Sequence, residues 1–444
     1  MHSAFIARHP IFNLRLEVVG CELLFRGHGW ADDEQAESPQ RSTATVVLNS
    51  FTELDLTRIV GHKKAWVDVP RDFVLDGLAQ AIPAGLSGLE IAGSECFDEE
   101  LVSALRALKR DGYELALDGI GPEPLADGVL DLFDVVKLDV HQLGHEELRA
   151  QVQRLRGGSC QILANGIVTH DDRDFCVDAG CDLLQGDFFC RPAVAGTRGV
   201  SANRLALLQV VAALQRPDVE LSEVQELILR DVALSFRMLR YVNSAAVGLR
   251  GEVRSIGQAL TLLGMDNARR WATLSVLASV DDKPSELTLT ALTRARFCEL
   301  AGAENEIAGP SELFTLGLFS VLDALMDTTM REVTELLPLA DDMRDALVDR
   351  TGPMGDLLQA VTAREHGDGG DAPHVRRADE CYLRAVIWAI DAAESLFAGG
   401  PVAAASPGPL PAVLPPTAPA IVLAPERGLL ARLLAAIGRL LGRG

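Results

Sequence analysis

Basic residues, paired cysteines and long apolar runs are all scarce in this sequence of 444 residues. Lys and Arg number 41 against 63 acidic residues, and the formal net charge of −22 argues against a surface that grips polynucleotides by neutralising phosphates. The 8 cysteines include no Cys-x-x-Cys pair and no tight framework, so we expect reduced, mostly buried thiols. The sequence therefore predicts neither a nucleic-acid partner nor a disulfide scaffold.

Secretion and membrane spanning are disfavoured by two further absences. The stretch MHSAFIARHPIF has no basic region leading into an apolar one, and no window reaches the roughly 20 apolar residues that cross a bilayer. We therefore expect a cytoplasmic protein. Hydrophobic residues still make up 48% of the chain, which is enough for the cores of two or three domains.

Most of the chain shows one of two sequence patterns. Up to about residue 197, short β-rich runs alternate with helical stretches, and from 198 to 397 helical periodicity continues almost without alternating segments. The first pattern predicts a (β/α)8 barrel and the second an all-α domain, so the fold class is α/β plus all-α. The eight predicted strands are RLEVVGCELLF, ATVVLNS, KKAWVDVP, GLEIAGSE, YELALDGI, VVKLDV, CQILANGI and CDLLQGDFF.

The C-terminal part has two further segments. Residues 398–426 are rich in Pro and Ala, which predicts a semi-extended linker. Residues 427–444 segregate leucines from arginines, which predicts an amphipathic helix too short to cross a membrane. This helix has three readings: peripheral contact with an anionic membrane such as the inner membrane, docking in a partner's groove, or packing against its own chain.

Charged and amide side chains end several predicted strands. In a β/α barrel these ends converge on one face, where carboxylates from different strands could hold a divalent cation that polarises a phosphodiester. The alternative for each acid is a helix N-cap or a solvated loop residue. The residues are Glu22, Asp68, Glu90, Asp118, Lys137, Asp139, Asn165 and Gln185.

The first 195 or so residues resemble the EAL domain of cyclic di-GMP phosphodiesterases. The matching stretches follow the family's order and are HPIFNL, CELLFR, LEIAGSE, LALDGIG, KLDV, ANGIV and QGDFFCRP. The resemblance implies that Arg26 and Gln185 are ligand-binding residues. It also implies that relics of the catalytic and metal-binding groups are Glu22, Glu90, Asp118, Lys137 and Asp139.

Several positions depart from the EAL pattern. The metal-binding Asn of the family is Asp68 here, the second loop aspartate is Gly119, and the second Glu of the E-L-T-E segment is Gly93. Further departures are His9, Asn165 and Val168. Two-metal catalysis needs fixed ligands and charge neutralisation, so these losses predict a degenerate barrel with no catalytic residues, no bound metal and no cofactor.

The helical half resembles the HDOD domain, a relative of the HD phosphohydrolases. The resemblance rests on the stretch LILRDVALSFRMLRYVNSAAVGLRGEVRSIGQALTLLGMDNARRWATL. Where an HD enzyme carries its adjacent His and Asp ligands, this chain has Phe319 and Ser320. The resemblance therefore implies no metal chemistry there, and we expect Asn243 to be a structural hydrogen-bonding residue.

An EAL-like barrel followed by an HDOD-like domain is the order found in a class of bacterial signalling proteins. It implies a non-catalytic regulator that acts through protein partners on motility, surface behaviour or stress responses. One alternative is a cyclic di-GMP receptor that uses Arg26. The other is a weak phosphodiesterase that requires Mg²⁺ or Mn²⁺ and uses the relic residues.

Overall fold

The computed structural model describes most of the chain in two compact units, one mainly within Met1–Phe188 and one within Phe189–Arg364 and Gly370–Pro419. The described residues are 4–27, 59–61, 63–120, 128–193, 202–216, 218–229, 235, 238–239, 241–243, 253–277, 280, 282–367 and 375–397. The predicted strand ATVVLNS, the linker 398–426 and the helix 427–444 lie outside them and stay predictions.

The first unit is a closed barrel of eight strands in chain order. β1 runs antiparallel to both β2 and β8 and closes the barrel, whereas the other neighbours pair in parallel. The strands are β1 Ala4–Asn13, β2 Val18–Gly27, β3 Lys64–Asp68, β4 Ser87–Ala92, β5 Glu114–Asp118, β6 Val135–Asp139, β7 Gln161–Asn165 and β8 Leu183–Gln185. The predicted barrel is confirmed, and seven of its eight strands are those predicted. The eighth, β1, was missed.

Helices follow four of the strands: α1 Arg71–Leu75, α2 Glu99–Arg110, α3 Val140–Leu155 and α4 His170–Ala179. Helix α2 shows why these segments fold as they do. The Asp98 side chain accepts a hydrogen bond from the Leu101 backbone N–H and caps the helix, while Leu101, Leu105 and Leu108 bury one face at helical spacing. Parallel strands need such crossovers, and the helices cover the outside of the barrel.

The barrel interior is filled below its mouth. A layer of buried apolar side chains packs there and consists of Ile11, Trp66, Ala116, Val135, Leu163 and Leu183. The Trp66 indole lies over Gly88 so closely that a Cβ at that position would collide with the ring. The Trp66 ring thus fills the space that a side chain at position 88 would take. The polar groups of the strands lie beyond this layer, at the open end that we call the mouth of the barrel.

The second unit is helical. Within the described residues its helices are α5 Ala202–Gln215, α6 Leu221–Leu229, α7 Ile256–Leu277, α8 Ser285–Glu304, α9 Pro310–Phe319, α10 Leu322–Met326, α11 Met330–Glu335, α12 Asp341–Asp349, α13 Gly352–Glu365 and α14 Ala378–Phe397. Helix α8 is buried over much of its length and packs against α9 and α14. The predicted all-α domain is confirmed.

Asn243 has the structural role predicted for it. Its side-chain amide donates to the Val253 carbonyl oxygen at 2.8 Å and its Oδ1 accepts from the Val253 N–H at 2.7 Å. The residue itself is exposed rather than buried. Both of its hydrogen bonds therefore hold the chain that leads into α7.

None of the described helices combines the length and apolar character required to span a membrane.

Candidate functional site

Lys137 lies between two carboxylates at the mouth of the barrel. Its ammonium Nζ donates to Glu22 Oε2 at 2.8 Å and to Glu90 Oε2 at 2.7 Å. The side chains of Lys137 and Glu90 are each 2% exposed, so this contact is almost fully withdrawn from water. The three residues come from β6, β2 and β4, and only the closed barrel brings them together.

The local sequence explains why such groups are buried. On either side of Lys137, Val136 and Leu138 are buried in the core, and Leu89 and Ile91 flank Glu90 in the same way. Parallel strands in a β/α barrel are buried on both faces, so a charged residue within them must find a partner inside. Lys137 and the two acids satisfy that requirement mutually.

Gln185 extends the cluster from β8. Its amide Nε2 donates to the same Glu22 Oε2 at 2.8 Å. Two buried acceptors, Oε1 of Glu90 and Oε1 of Gln185, have no hydrogen-bond partner among the residues that the structure describes. Buried polar atoms are normally paired, so these two oxygens mark a polar space that a ligand or water would complete.

The acids outnumber the cation, and their pKa values reflect it. Burial raises the pKa of Glu90 to about 8, and repulsion from Glu22 adds to this effect. Burial and the neighbouring Asp118 raise the pKa of Asp68 to about 6. Burial also raises the pKa of Asp118, against the attraction of Lys137.

Lys137 and Glu22 form the ionised pair of the cluster. Burial opposes the charge on both, but the attraction between them outweighs burial, so the pKa of Glu22 is lowered. Burial alone would lower the pKa of Lys137, yet Glu90 and Glu22 together raise it above its ordinary value. One ammonium can neutralise only one carboxylate, so Glu90 is the acid that retains its proton near neutral pH.

Two of the substituted positions, Gly93 and Gly119, lie directly against each other. The Gly93 N–H donates to the Asp118 carbonyl oxygen at 2.8 Å, which continues the β4–β5 ladder past the strand ends. A Cβ at position 93 would collide with the Gly119 carbonyl oxygen. No residue with a side chain fits at position 93 without a backbone shift.

Gly119 differs from Gly93 in its surroundings. Its φ of +75° lies in the left-handed region, while a Cβ there would meet nothing within 4 Å. Of the two lost acids, only the one at position 119 therefore has room to return, at the cost of backbone strain.

The remaining predicted site residues divide between the mouth and other roles. Asp139 caps α3, since its Oδ1 accepts from the backbone N–H groups of His141 and Gln142 at 2.9 and 2.8 Å. The Oδ1 of Asn165 accepts from the Gly166 N–H at 2.7 Å. Arg26 belongs to β2, and its side chain is outside the described residues.

The acids of the mouth, as placed, do not fit a divalent metal. Among the residues that the structure describes, no three His, Cys, Asp or Glu side chains are arranged so that they could hold one ion. Lys137 binds an oxygen of both Glu22 and Glu90, and a cation would have to compete for these atoms. No catalytic step is therefore assigned through a metal.

In the helical unit, the position at which an HD enzyme carries its adjacent His and Asp ligands is occupied by Phe319 and Ser320. Phe319 ends α9 with its side chain fully buried, and the Ser320 hydroxyl donates to the Gly317 carbonyl oxygen at 2.7 Å. Arg294 lies beside them and donates to Ser320 Oγ at 3.4 Å. The position is a packed helix junction.

The comparisons with known proteins agree with this architecture. The family model of the HDOD domain matches residues 205–341. The cyclic di-GMP phosphodiesterase CdgJ of Vibrio cholerae is 32% identical over 377 residues, which cover 83% of this chain and 86% of CdgJ. The chain belongs to the EAL–HDOD family.

Two further matches have lower sequence identity. The uncharacterized protein YuxH of Bacillus subtilis is 27% identical over 399 residues, or 86% of this chain and 97% of YuxH. Among solved structures, the EAL domain of Mycobacterium smegmatis DcpA matches with 20% identity and a TM-score of 0.34, covering 41% of this chain and 90% of that one.

One feature of the site was missed in the sequence analysis, namely the contact between Gly93 and Gly119. The available signal was that both glycines lie one residue beyond the ends of neighbouring strands. Equivalent positions in adjacent parallel strands approach each other, so two glycines there permit backbone contact.

Proposed function

We propose that this EAL–HDOD protein is a cyclic di-GMP signalling protein whose barrel does not hydrolyse the dinucleotide and which acts through protein contacts. The observation that carries the proposal is the position of Lys137, which binds both Glu22 and Glu90. The glycine contact at positions 93 and 119 supports it, because it fills space where the EAL pattern has an acid. The link to cyclic di-GMP rests on the relative CdgJ.

The regulated process is part of the proposal. The class of proteins that this domain order resembles implies motility, surface behaviour or stress responses as the output. We assign no metal chemistry to the helical unit, since the position of the HD ligand pair is occupied by Phe319 and Ser320, both of which are buried.

A specific observation favours a second candidate, a weak phosphodiesterase. Glu22, Glu90, Asp118 and Lys137 remain close enough to shift one another's pKa, and CdgJ carries the name of a phosphodiesterase. A third arrangement, a receptor, would use Oε1 of Glu90 and Oε1 of Gln185, which have no partner in the described part of the chain, to orient a bound nucleotide.

The decisive experiment is a calorimetric titration of cyclic di-GMP into the full chain, first with Mg²⁺ and then with Mn²⁺. The contents of the calorimeter cell are afterwards separated by chromatography. We expect intact dinucleotide. Linear product that disappears in the Glu22→Gln variant would overturn the proposal, because that variant keeps the side-chain size and removes the charge. Product that persists in the variant identifies a contaminating enzyme.

The heat signal separates the two non-hydrolytic forms. Saturable binding with intact ligand identifies a receptor, and the Gln185→Ala variant should then weaken it because it removes a polar group of the mouth. No heat and no product leave a scaffold that works through protein contacts alone.

A further inference from the structure

Two cysteines meet where helix α4 ends. The helix finishes with Gly180 in the left-handed region, at φ +101°, and the Gly180 N–H donates to the Val177 carbonyl oxygen at 3.0 Å. The Cys181 N–H donates back to the Cys176 carbonyl oxygen, also at 3.0 Å. This pair of hydrogen bonds is the Schellman arrangement, in which the side chains at the positions of Cys176 and Cys181 contact each other.

In most helices that end this way the contact joins two apolar side chains. Here both positions are cysteines, which are 0% and 2% exposed and whose thiols lie close enough to shift each other's pKa. The turn therefore places the two side chains on facing positions, as a disulfide requires. The backbone turn thus holds a dithiol in place.

The turn is fixed by a third residue. The Arg156 guanidinium donates to the Gly180 carbonyl oxygen at 2.9 Å and lies where a Cβ at position 180 would be. The φ of Gly180 favours glycine there, and a Cβ would displace the guanidinium. The backbone turn thus sets the spacing of the two cysteines.

The two thiols are electrostatically unequal. The hydrogen bond from Cys176 lowers the pKa of Cys181 and raises that of Cys176. Asp172 and Asp182 oppose ionisation of Cys176 and Cys181 respectively, and Arg156 favours that of Cys181. Cys181 is therefore the better nucleophile, because the thiolate is the reactive form.

We propose that Cys176 and Cys181 form a reversible disulfide on exposure to hydrogen peroxide. The Cys181 thiolate attacks one peroxide oxygen, the O–O bond breaks, and a sulfenic acid forms while the departing hydroxide takes up the proton that the thiol had released and leaves as water. The Cys176 sulfur then attacks the Cys181 sulfur, the S–O bond breaks, and a second water leaves. Two thiols are oxidised to one disulfide and one peroxide is reduced to two waters.

The burial of the pair selects the oxidant. Cys181 keeps only 2% of its surface, so a bulky protein disulfide cannot reach it whereas a small peroxide can. The resulting bond would tie the last turn of α4 to the chain that enters β8 at Leu183.

The test uses the full chain carrying Cys190→Ser, because Cys190 would fall in the same tryptic peptide. Reduced protein is treated with hydrogen peroxide, quenched with catalase, unfolded and alkylated with N-ethylmaleimide before peptide mapping. We expect the peptide to lose two hydrogen atoms and its alkylation to fall from two labels to none, with full recovery in dithiothreitol. Two labels at peroxide concentrations that already oxidise the exposed Cys96 would overturn the proposal.

Two variants identify the partner. In Cys176→Ala, which keeps an apolar contact, Cys181 should stop at the sulfenic acid and react with dimedone. A disulfide from Cys181 to the half-buried Cys160 in either protein would overturn the assignment. The control Cys298→Ser removes a buried thiol of the helical unit and should leave the yield of disulfide unchanged.

Discussion

The barrel mouth and the end of helix α9 are built in opposite ways. At the mouth the charged groups remain, with Lys137 held between Glu22 and Glu90 inside the protein. At the end of α9 the position of the ligand pair holds a fully buried Phe319 and a serine bonded to the backbone. One site holds buried charges, and the other is ordinary core.

The difference teaches what each site contributes. Apolar packing at Phe319 stabilises the fold by itself, whereas buried ion pairs lose much of their Coulombic gain to desolvation. Replacing a buried pair with apolar residues is often neutral or stabilising. The four acids around Lys137 are therefore not accounted for by stability alone, which is why the proposed function is tested at the mouth.

The largest effect is expected from Lys137→Met. This change leaves Glu22 and Glu90 buried without a cation, and it should lower the free energy of unfolding by about 3–5 kcal/mol near pH 8. The loss should shrink towards pH 5, because both carboxylates can then take up protons. Urea unfolding at both pH values measures it.

Two matched variants sharpen that comparison. Phe319→Ala should cost a similar amount, about 3–5 kcal/mol, through a cavity, with no dependence on pH between 5 and 8. Lys109→Met breaks the partly exposed pair with Asp134, 2.6 Å long, and should cost about 1 kcal/mol or less. A pH-independent loss in Lys137→Met would mean that packing, not charge, is what Lys137 supplies.

The second prediction concerns the proton on Glu90. Its pKa rises from 4.5 to about 8 on folding, so between these values the folded protein holds a proton that the unfolded chain has released. The stability from this group is complete below about pH 4.5 and is lost as the pH rises to about 8, with a slope of up to about 1.4 kcal/mol per pH unit for one proton.

Glu90→Gln keeps the shape of the side chain without the titration. Unfolding measured at pH 5, 6, 7 and 8 should show a flatter decline in the variant than in the natural protein. Asp68, whose pKa rises to about 6, should still contribute its own decline at the lower end of this range. Parallel curves for both proteins would show that Glu90 is already ionised at pH 5.

The sequence predicted the barrel, the helical unit and the residues of the mouth, because each depends on local periodicity or on strand ends. It did not predict β1, since this strand carries His9 and Pro10 and pairs antiparallel, outside the β/α alternation. It named Glu22, Glu90 and Lys137 but not the hydrogen bonds that join them, because these contacts span 115 positions to Glu22 and 47 to Glu90. Likewise, Asp139 looked like a site residue, but its role as the α3 cap depends on backbone geometry.

The smallest effect separates the two glycines of the mouth, and it tests whether the lost acids could simply be restored. Gly93→Ala should cost about 1–3 kcal/mol, because its Cβ would collide with the Gly119 carbonyl oxygen and the neighbouring backbone must shift. Gly119→Ala meets no atom within 4 Å and should cost only about 1 kcal/mol through its positive φ. Gly112→Ala, at φ +89° with open space, is the matched control and should equal Gly119→Ala in urea unfolding. If Gly93→Ala proved as mild as the control, the mouth would be pliable at that point, and the closed contact would no longer support a barrel without hydrolytic activity.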